Sequence, residues 1–233
     1  MILAIDVGNT NIVVGVMSKG ELVANYRMTT QFPRTADEYG VTLLAMLSKD
    51  NITPKDIEAI IIASVVPDIM YSLKHCMLKY FDNNPMIVGP GIKTGISIRT
   101  DNPKEVGTDR IVNCVAAYAL YGGPCIVIDF GTATTYDIVN EKGEFIAGVT
   151  SPGIRICADA LWQRAAQLPR IEIKKTKGIL DSKNTITSMQ TGLVYGYIGQ
   201  VEYIVKKAKE ELGCETLKVV ATGGLARVIQ DGT

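Results

Sequence analysis

The feature that most constrains this chain is an acidic turn that occurs twice, each time after a run of apolar residues. Residues 2–5 lead into Asp6-Val7-Gly8-Asn9-Thr10-Asn11, and residues 125–128 lead into Asp129-Phe130-Gly131-Thr132-Ala133-Thr134. An apolar run that stops at a carboxylate, a glycine and small hydrogen-bonding residues is typical of a buried strand that ends in a polar turn. Because α/β sheets bind ligands at the carboxyl ends of their strands, both turns are candidate ligand sites.

The similarity of the two copies continues beyond the turns. The 123 residues that separate Asp6 from Asp129 also separate Lys19-Gly20-Glu21 from Lys142-Gly143-Glu144, with no gap. Such self-similarity is a signature of duplicated architecture. It predicts two β-meanders, with strands at residues 2–7, 11–17 and 21–28 and again at 125–130, 133–139 and 144–149. We expect the two halves to hold one ligand between their acidic turns.

Helical patterns and further strands fill the rest of the chain. Thr35 and Glu38 form a predicted capping box at the start of a helix, and the apolar run 59–63 fits a central strand covered on both faces. Gly192, Gly196 and Gly199 lie at spacings typical of a close helix contact. Further elements are expected as helices at 67–81, 109–121, 153–167 and 185–212, a strand at 217–221, a Thr222-Gly223-Gly224 turn and the start of a last helix.

The composition excludes several classes of function. Lysine plus arginine equal aspartate plus glutamate, 24 each, so no overall basic field would attract nucleic acid or an anionic membrane. No segment has enough uninterrupted apolar residues to span a bilayer, and the amino terminus does not resemble a signal peptide. The five scattered cysteines lack CxxC spacing and are expected to be reduced thiols. Together these features predict a cytoplasmic protein.

The motif content excludes several mechanisms. His75 is the one histidine, so Ser-His-Asp and Cys-His nucleophilic schemes have little to work with. Zinc-ligand spacing, a Walker P-loop and a strand followed by GxGxxG are missing. What remains is a set of carboxylates beside turns whose backbone N–H groups and hydroxyls can surround phosphate oxygens.

Asp6 and Asp129 can each approach a cation, directly or through its waters. Two carboxylates that face a triphosphate would repel it unless a cation lay between them, so a bound metal follows from this hypothesis. The alternative is that both aspartates only cap turns and that the glycines serve backbone geometry. The duplication favours the first interpretation.

A third acidic element is Gly107-Thr108-Asp109-Arg110, at the predicted start of a helix. One interpretation is purely structural, because Thr108 as N-cap and an acid in the first turn would stabilise the helix without having any function. The functional alternative makes Asp109 the base that takes a proton from an attacking hydroxyl, and Arg110 the partner of an anionic group on the acceptor.

These motifs occur in the order and spacing of a known family. The two acidic turns, Gly107-Thr108-Asp109-Arg110 and Thr222-Gly223-Gly224 resemble those of the type III pantothenate kinases, which belong to the acetate-kinase, sugar-kinase, heat-shock ATPase and actin superfamily. The resemblance covers essentially the whole chain. It implies an α/β, duplicated actin-like (ribonuclease H-like) fold, with two domains, mixed central sheets and a cleft between them. The domains would span residues 1–108 and 109–233.

The resemblance also implies an activity. ATP would phosphorylate the primary hydroxyl of pantothenate to give 4'-phosphopantothenate, the first step of coenzyme A biosynthesis. Mg²⁺ would accompany ATP and reach Asp6 through water, and a monovalent cation, K⁺ or NH₄⁺, would bind Asp129. The implied protein is a cytoplasmic homodimer with no nucleic-acid or membrane partner.

Individual residue roles carry over from the family's motifs. Asp109 would be the catalytic base. Pantothenate would contact Gly107, Thr108, Asp109 and Arg110, and also Thr185 across the dimer. ATP would contact Asp6, Val7, Gly8, Asn9, Thr10, Asn11, Ile12, Val13 and Thr132, and its adenosine would lie close to Gly223 and Gly224.

The chain departs from the family pattern in two places. Thr100 stands where many members carry an aromatic residue that contacts the substrate, and members usually extend beyond Thr233, so we expect the second domain to be truncated at its end. Two other functions compete with the implied one. The first is a kinase of the same superfamily with a sugar or carboxylate substrate. The second is an actin-like protein that binds nucleotide for assembly or regulation, which would leave residues 107–110 without a task.

Overall fold

A computed structural model describes residues 1–89 and 91–230 of the chain. The predicted end of the second domain at Thr233 lies outside the described residues. The chain divides into two compact units, the first formed by Met1–Lys93 with Lys104–Val112 and the second by Thr94–Pro103 with Asn113–Thr233. The domain boundary expected after residue 108 stays a prediction.

The first unit is built on a five-stranded mixed sheet. Its strands are β1 (Ile2–Val7), β2 (Asn11–Ser18), β3 (Glu21–Thr29), β4 (Ala59–Ser64) and β5 (Met86–Ile87), and the sheet order is β3-β2-β1-β4-β5. β1 pairs antiparallel with β2 and parallel with β4. The predicted first meander is therefore confirmed.

Two helices cover one face of this sheet. They are α1 (Ala36–Ser48) and α2 (Met70–Phe81), and a short 3₁₀ segment at Pro67–Ile69 precedes α2. The predicted capping box is present at Thr35 and Glu38, and it satisfies backbone N–H groups that the first turn of α1 would leave unpaired. Leu3, Ile5 and Val7 alternate along β1 and are buried under the helices, so Asp6 points to the opposite face of the sheet.

The second unit repeats this plan. Its strands are β6 (Ser97–Ile98), β7 (Cys125–Phe130), β8 (Ala133–Val139), β9 (Glu144–Pro152) and β10 (Lys218–Thr222), in the sheet order β10-β7-β8-β9-β6. β7 pairs antiparallel with β8 and parallel with β10, as β1 does with β2 and β4. The same separation of 123 residues relates both ends of β7 to those of β1, which confirms the duplication.

The remaining helices are α3 (Thr108–Tyr121), α4 (Ile154–Arg164), α5 (Thr185–Leu212) and α6 (Ala226–Gln230). α5 has the bounds that the sequence predicts, whereas α4 ends before the expected residue 167. The apolar residues of β7 and β8 pack against α4 and α5 to form the second core. Among the described residues, no helix has the length and apolar character that crossing a bilayer requires.

Candidate active site

The first acidic turn has a shape fixed by backbone and hydroxyl hydrogen bonds. Gly8 N donates to the carbonyl of Asn11 over 3.0 Å, and the Thr30 hydroxyl donates to the carbonyl of Gly8 over 2.7 Å. Thr30 N also donates to the carbonyl of Thr10, which ties the turn to the end of β3. Asn9 and Thr10 at its tip are exposed.

Asp6 lies at the end of β1 with its side chain open to solvent on one side. Burial by the surrounding protein, and to a smaller extent the negative charge of Asp109, raises the pKa of Asp6 above its ordinary value. Both residues belong to the first unit. The structure therefore places the two predicted acids close enough to repel each other, and a cation would relieve that repulsion.

The start of α3 is anchored to the neighbouring strand. The Thr108 hydroxyl donates to the carbonyl of Ser64, the last residue of β4, over 2.8 Å. Ser64 is the register partner of Val7 on β1. This chain of contacts brings the first turn of α3 to the strand end that carries Asp6.

The prediction that Thr108 is the N-cap of α3 is wrong. Thr108 is the first helical residue, and Gly107 precedes it and accepts the hydrogen bond from Ile111 N. The Thr108 hydroxyl donates to the carbonyl of Ser64 and so links the first residue of α3 to β4. The side chain of Asp109 is oriented by its own backbone, because Arg110 N donates to Asp109 Oδ1 over 2.8 Å. A Cβ on Gly107 would lie 2.5 Å from that same Oδ1, so the glycine leaves room for the carboxylate.

The second acidic turn is one residue tighter than the first. Gly131 N donates to the carbonyl of Ala133, two residues ahead, whereas Gly8 N reaches three residues ahead to Asn11. Gly153 N donates to the carbonyl of Thr132 over 3.0 Å, which fixes the start of α4 against this turn. Thr132 itself is exposed at the tip.

Asp129, at the end of β7, has a hydrogen-bond donor near one carboxylate oxygen and a glycine near the other, both within the second unit. Asn113 Nδ2 of α3 donates to Asp129 Oδ2 over 3.2 Å. On the other side lies Gly223, whose φ of +93° is a conformation that favours glycine, and a Cβ there would lie 2.5 Å from Asp129 Oδ1. The Thr222-Gly223-Gly224 turn thus lies beside the second acidic turn, and neither this proximity nor the contact from Asn113 was predicted.

The comparison with known proteins decides the family. The family model described as type III pantothenate kinase matches residues 2–207. The chain belongs to the type III pantothenate kinase family. A curated type III pantothenate kinase of Agathobacter rectalis is 59% identical over 233 residues, which are 100% of this chain and 89% of the relative. Membership confirms the predicted enzyme, a kinase that phosphorylates pantothenate with ATP in coenzyme A biosynthesis.

Solved structures confirm the predicted α/β, actin-like fold. Component A of the (R)-2-hydroxyglutaryl-CoA dehydratase of Acidaminococcus fermentans matches with a TM-score of 0.55 and 13% identity over 98% of this chain and 85% of that chain. The activator of the 2-hydroxyisocaproyl-CoA dehydratase of Clostridium difficile, solved with bound ADPNP, matches with a TM-score of 0.54 and 12% identity over 97% and 81% of the two chains.

Membership in a kinase family implies ATP together with a divalent metal. Within residues 1–89 and 91–230, no group of three or more His, Cys, Asp or Glu side chains is placed to hold a metal ion. Mg²⁺ does not need such a group, because it is usually held by one or two carboxylates together with water and substrate phosphates. Asp6 beside Asp109 fits that chemistry, and the Asp129 carboxylate, which accepts from a neutral amide, is an oxygen ligand that a singly charged cation could use.

The residues expected to bind ATP or pantothenate differ in whether their side chains are buried or exposed. The side chains of Val7 and Ile12 are fully buried in the first core, so only their backbone could contact ATP. Thr185 is exposed at the start of α5, and Asn184 caps the helix before it. The Thr100 hydroxyl is buried and has no hydrogen-bond partner among the described residues.

Proposed function

We propose that this pantothenate kinase transfers the γ-phosphoryl group of ATP in line to the primary hydroxyl of pantothenate, giving 4'-phosphopantothenate. The observation that carries the proposal is the position of Asp109, held by Arg110 N at the start of a helix that Thr108 anchors to β4 beside Asp6. Phosphoryl transfer requires aligned reactants and compensation of developing charge more than covalent help from the protein. An anchored carboxylate next to a phosphate-binding turn meets both requirements.

In this mechanism Asp109 accepts the proton of the attacking hydroxyl, and Arg110 pairs with the carboxylate of pantothenate. Gly107 and Thr108 complete the contact with pantothenate through their backbone. The residues of the first turn, from Asp6 to Val13, hold the ATP phosphates with their backbone N–H groups and the side chains at its tip. These roles are supported by the hydrogen bonds that fix the turn and by the exposure of Asn9 and Thr10.

Two cations have different places in the proposal. Asp6 would hold Mg²⁺ through water, and Mg²⁺ would supply compensation of charge on the phosphates. Asp129 would hold K⁺ or NH₄⁺. Thr132 would contact ATP from the tip of the second turn, and Gly223 and Gly224 would lie close to adenosine.

We further propose that the enzyme is a cytoplasmic homodimer in which Thr185 contacts pantothenate bound to the partner. Gly192, Gly196 and Gly199 on α5 support this, because a Cβ at any of them would meet no atom within 4 Å. The open glycine face leaves room for close approach of another helix.

Product analysis tests the proposed reaction. The protein is incubated with ATP and, in parallel, with pantothenate, a panel of sugars or acetate, and the phosphorylated products are identified by mass spectrometry. Formation of 4'-phosphopantothenate alone is the expected result. A phosphorylated sugar or acetate in place of it, or ATP-dependent polymerisation without any phosphorylated product, would overturn the proposal.

A further inference from the structure

Asn113 is a half-buried residue of α3 to which the proposed reaction assigns no role. Asparagine is a poorer helix former than alanine or leucine, because its side chain competes for backbone hydrogen bonds. Here the side chain does not bond to its own helix. Its Nδ2 donates to Asp129 Oδ2 over 3.2 Å, so the amide joins α3 to the end of β7 inside the second unit.

The Asp129 carboxylate has a different neighbour at each oxygen. Asn113 contacts Oδ2, and a Cβ on Gly223 would lie 2.5 Å from Oδ1, so the glycine leaves room for that oxygen. The hydrogen bond from Asn113 therefore favours one orientation of the carboxylate, and the glycine permits it.

The donor to Asp129 is a neutral amide and not a charged group. A lysine or arginine at position 113 would orient the carboxylate as well, but it would also neutralise the charge and compete with a cation. A neutral amide donates one hydrogen bond and brings no positive charge of its own to the carboxylate. Asn113 therefore orients Asp129 without acting as its counter-ion.

We propose that Asn113 is a positioning residue that holds the Asp129 carboxylate in the orientation required to bind a monovalent cation. The inference rests on the proposed function, which assigns that cation to Asp129. Residues that orient a metal ligand typically contribute about 10–100-fold to metal affinity or activity. Asn113 should therefore set how much potassium the enzyme needs, and should affect the maximal rate much less.

The test replaces Asn113 with alanine and titrates potassium chloride at constant ionic strength, with choline chloride as the balancing salt. The potassium concentration for half-maximal activity should rise about tenfold or more, while kcat at saturating potassium stays close to that of the wild type. A second readout needs no turnover. Potassium should raise the melting temperature of the ADP-bound wild type, and Asn113→Ala should lose most of that rise.

Asn140 provides a matched control in the same unit. Its Nδ2 donates to Glu144 Oε2 over 2.8 Å, which is also an amide-to-carboxylate bond, and its Oδ1 accepts from two backbone N–H groups. Asn140→Ala removes more hydrogen bonds than Asn113→Ala, so it should lower stability at least as much. It should leave the potassium requirement unchanged. Asn113→Leu, which favours helix and cannot donate a hydrogen bond, repeats the test if the alanine variant does not fold.

The variant Asp129→Ala distinguishes failure of the positioning role of Asn113 from failure of the cation site itself. If Asp129→Ala loses its response to potassium and Asn113→Ala keeps the wild-type half-saturation, the positioning role of Asn113 is wrong while the cation site stands. If Asp129→Ala responds to potassium as the wild type does, the cation assignment in the proposed function is wrong, and the role of Asn113 with it.

Discussion

The two acidic turns descend from one pattern, yet each has a different environment. Asp6 in the first unit lies near a second carboxylate, and burial and that charge raise its pKa. Asp129 in the second unit accepts an amide hydrogen bond and is packed against a glycine. The proposed assignment of Mg²⁺ to the first aspartate and of a monovalent cation to the second depends on this difference. The duplication gives both turns the same framework of strands, while different residues surround each aspartate.

The turns also differ in length. The first turn closes over three residues and leaves Asn9 and Thr10 exposed, while the second closes over two and is tied to α4 through Gly153. The glycine N–H of each turn is used in the hydrogen bond that closes it, so a phosphate would have to contact other groups of the turn.

The largest expected effect comes from the acid beside the first turn. Asp109→Asn should lower kcat by about 10²–10⁴-fold, since a positioned base contributes that much, and should keep most of the nucleotide affinity. Steady-state kinetics and ATP titration by calorimetry measure the two quantities. Asp68 is an exposed acid in the 3₁₀ segment Pro67–Ile69, and the control variant Asp68→Asn should leave both kcat and nucleotide affinity unchanged. Turnover of Asp109→Asn within a few-fold of the wild type would remove Asp109 from the role of base.

Asp6→Asn should lower activity by about 10–100-fold, the usual effect of losing a group that orients a metal and its water. It should also raise the melting temperature at neutral pH, because the folded state raises the pKa of Asp6 and its ionised form therefore opposes folding. As pH falls through the folded pKa towards 3.8, the wild type gains this stability back, and the difference between the two proteins should shrink. Melting curves from neutral to acidic pH test this, and a pH-independent difference would contradict the raised pKa of Asp6, which burial and then the charge of Asp109 cause.

Gly223→Ala tests how closely residue 223 packs against the second acidic turn. The added Cβ would lie 2.6 Å from both N and O of Phe130 and would require a φ of +93°, so we expect a loss of about 1–3 kcal/mol. For a protein of this size that loss lowers the melting temperature by roughly 2–12 °C. Gly224→Ala is the matched control, since a Cβ there meets no atom within 4 Å, and it should melt close to the wild type. Equal melting temperatures for the two variants would show that the turn is not packed against Asp129.

Local signals in the sequence were sufficient for much of this structure. The capping box at Thr35 and the bounds of α5 are set by neighbours in the chain, and the repeat predicted both meanders. The role of Thr108 could not be predicted in this way, because its partner Ser64 is 44 residues distant in sequence. The contact of Asn113 with Asp129 depends on how α3 packs on β7, and the only early signal was a weak helix former four residues after Asp109.

The most direct test of the central claim, that the first turn and Asp109 form a pantothenate kinase site, is ADP release from ATP with and without pantothenate, in potassium and in sodium buffers. The account predicts slow release without pantothenate, a large increase when pantothenate is added in potassium, and a smaller increase in sodium. ADP release that is the same with and without pantothenate would contradict the kinase assignment.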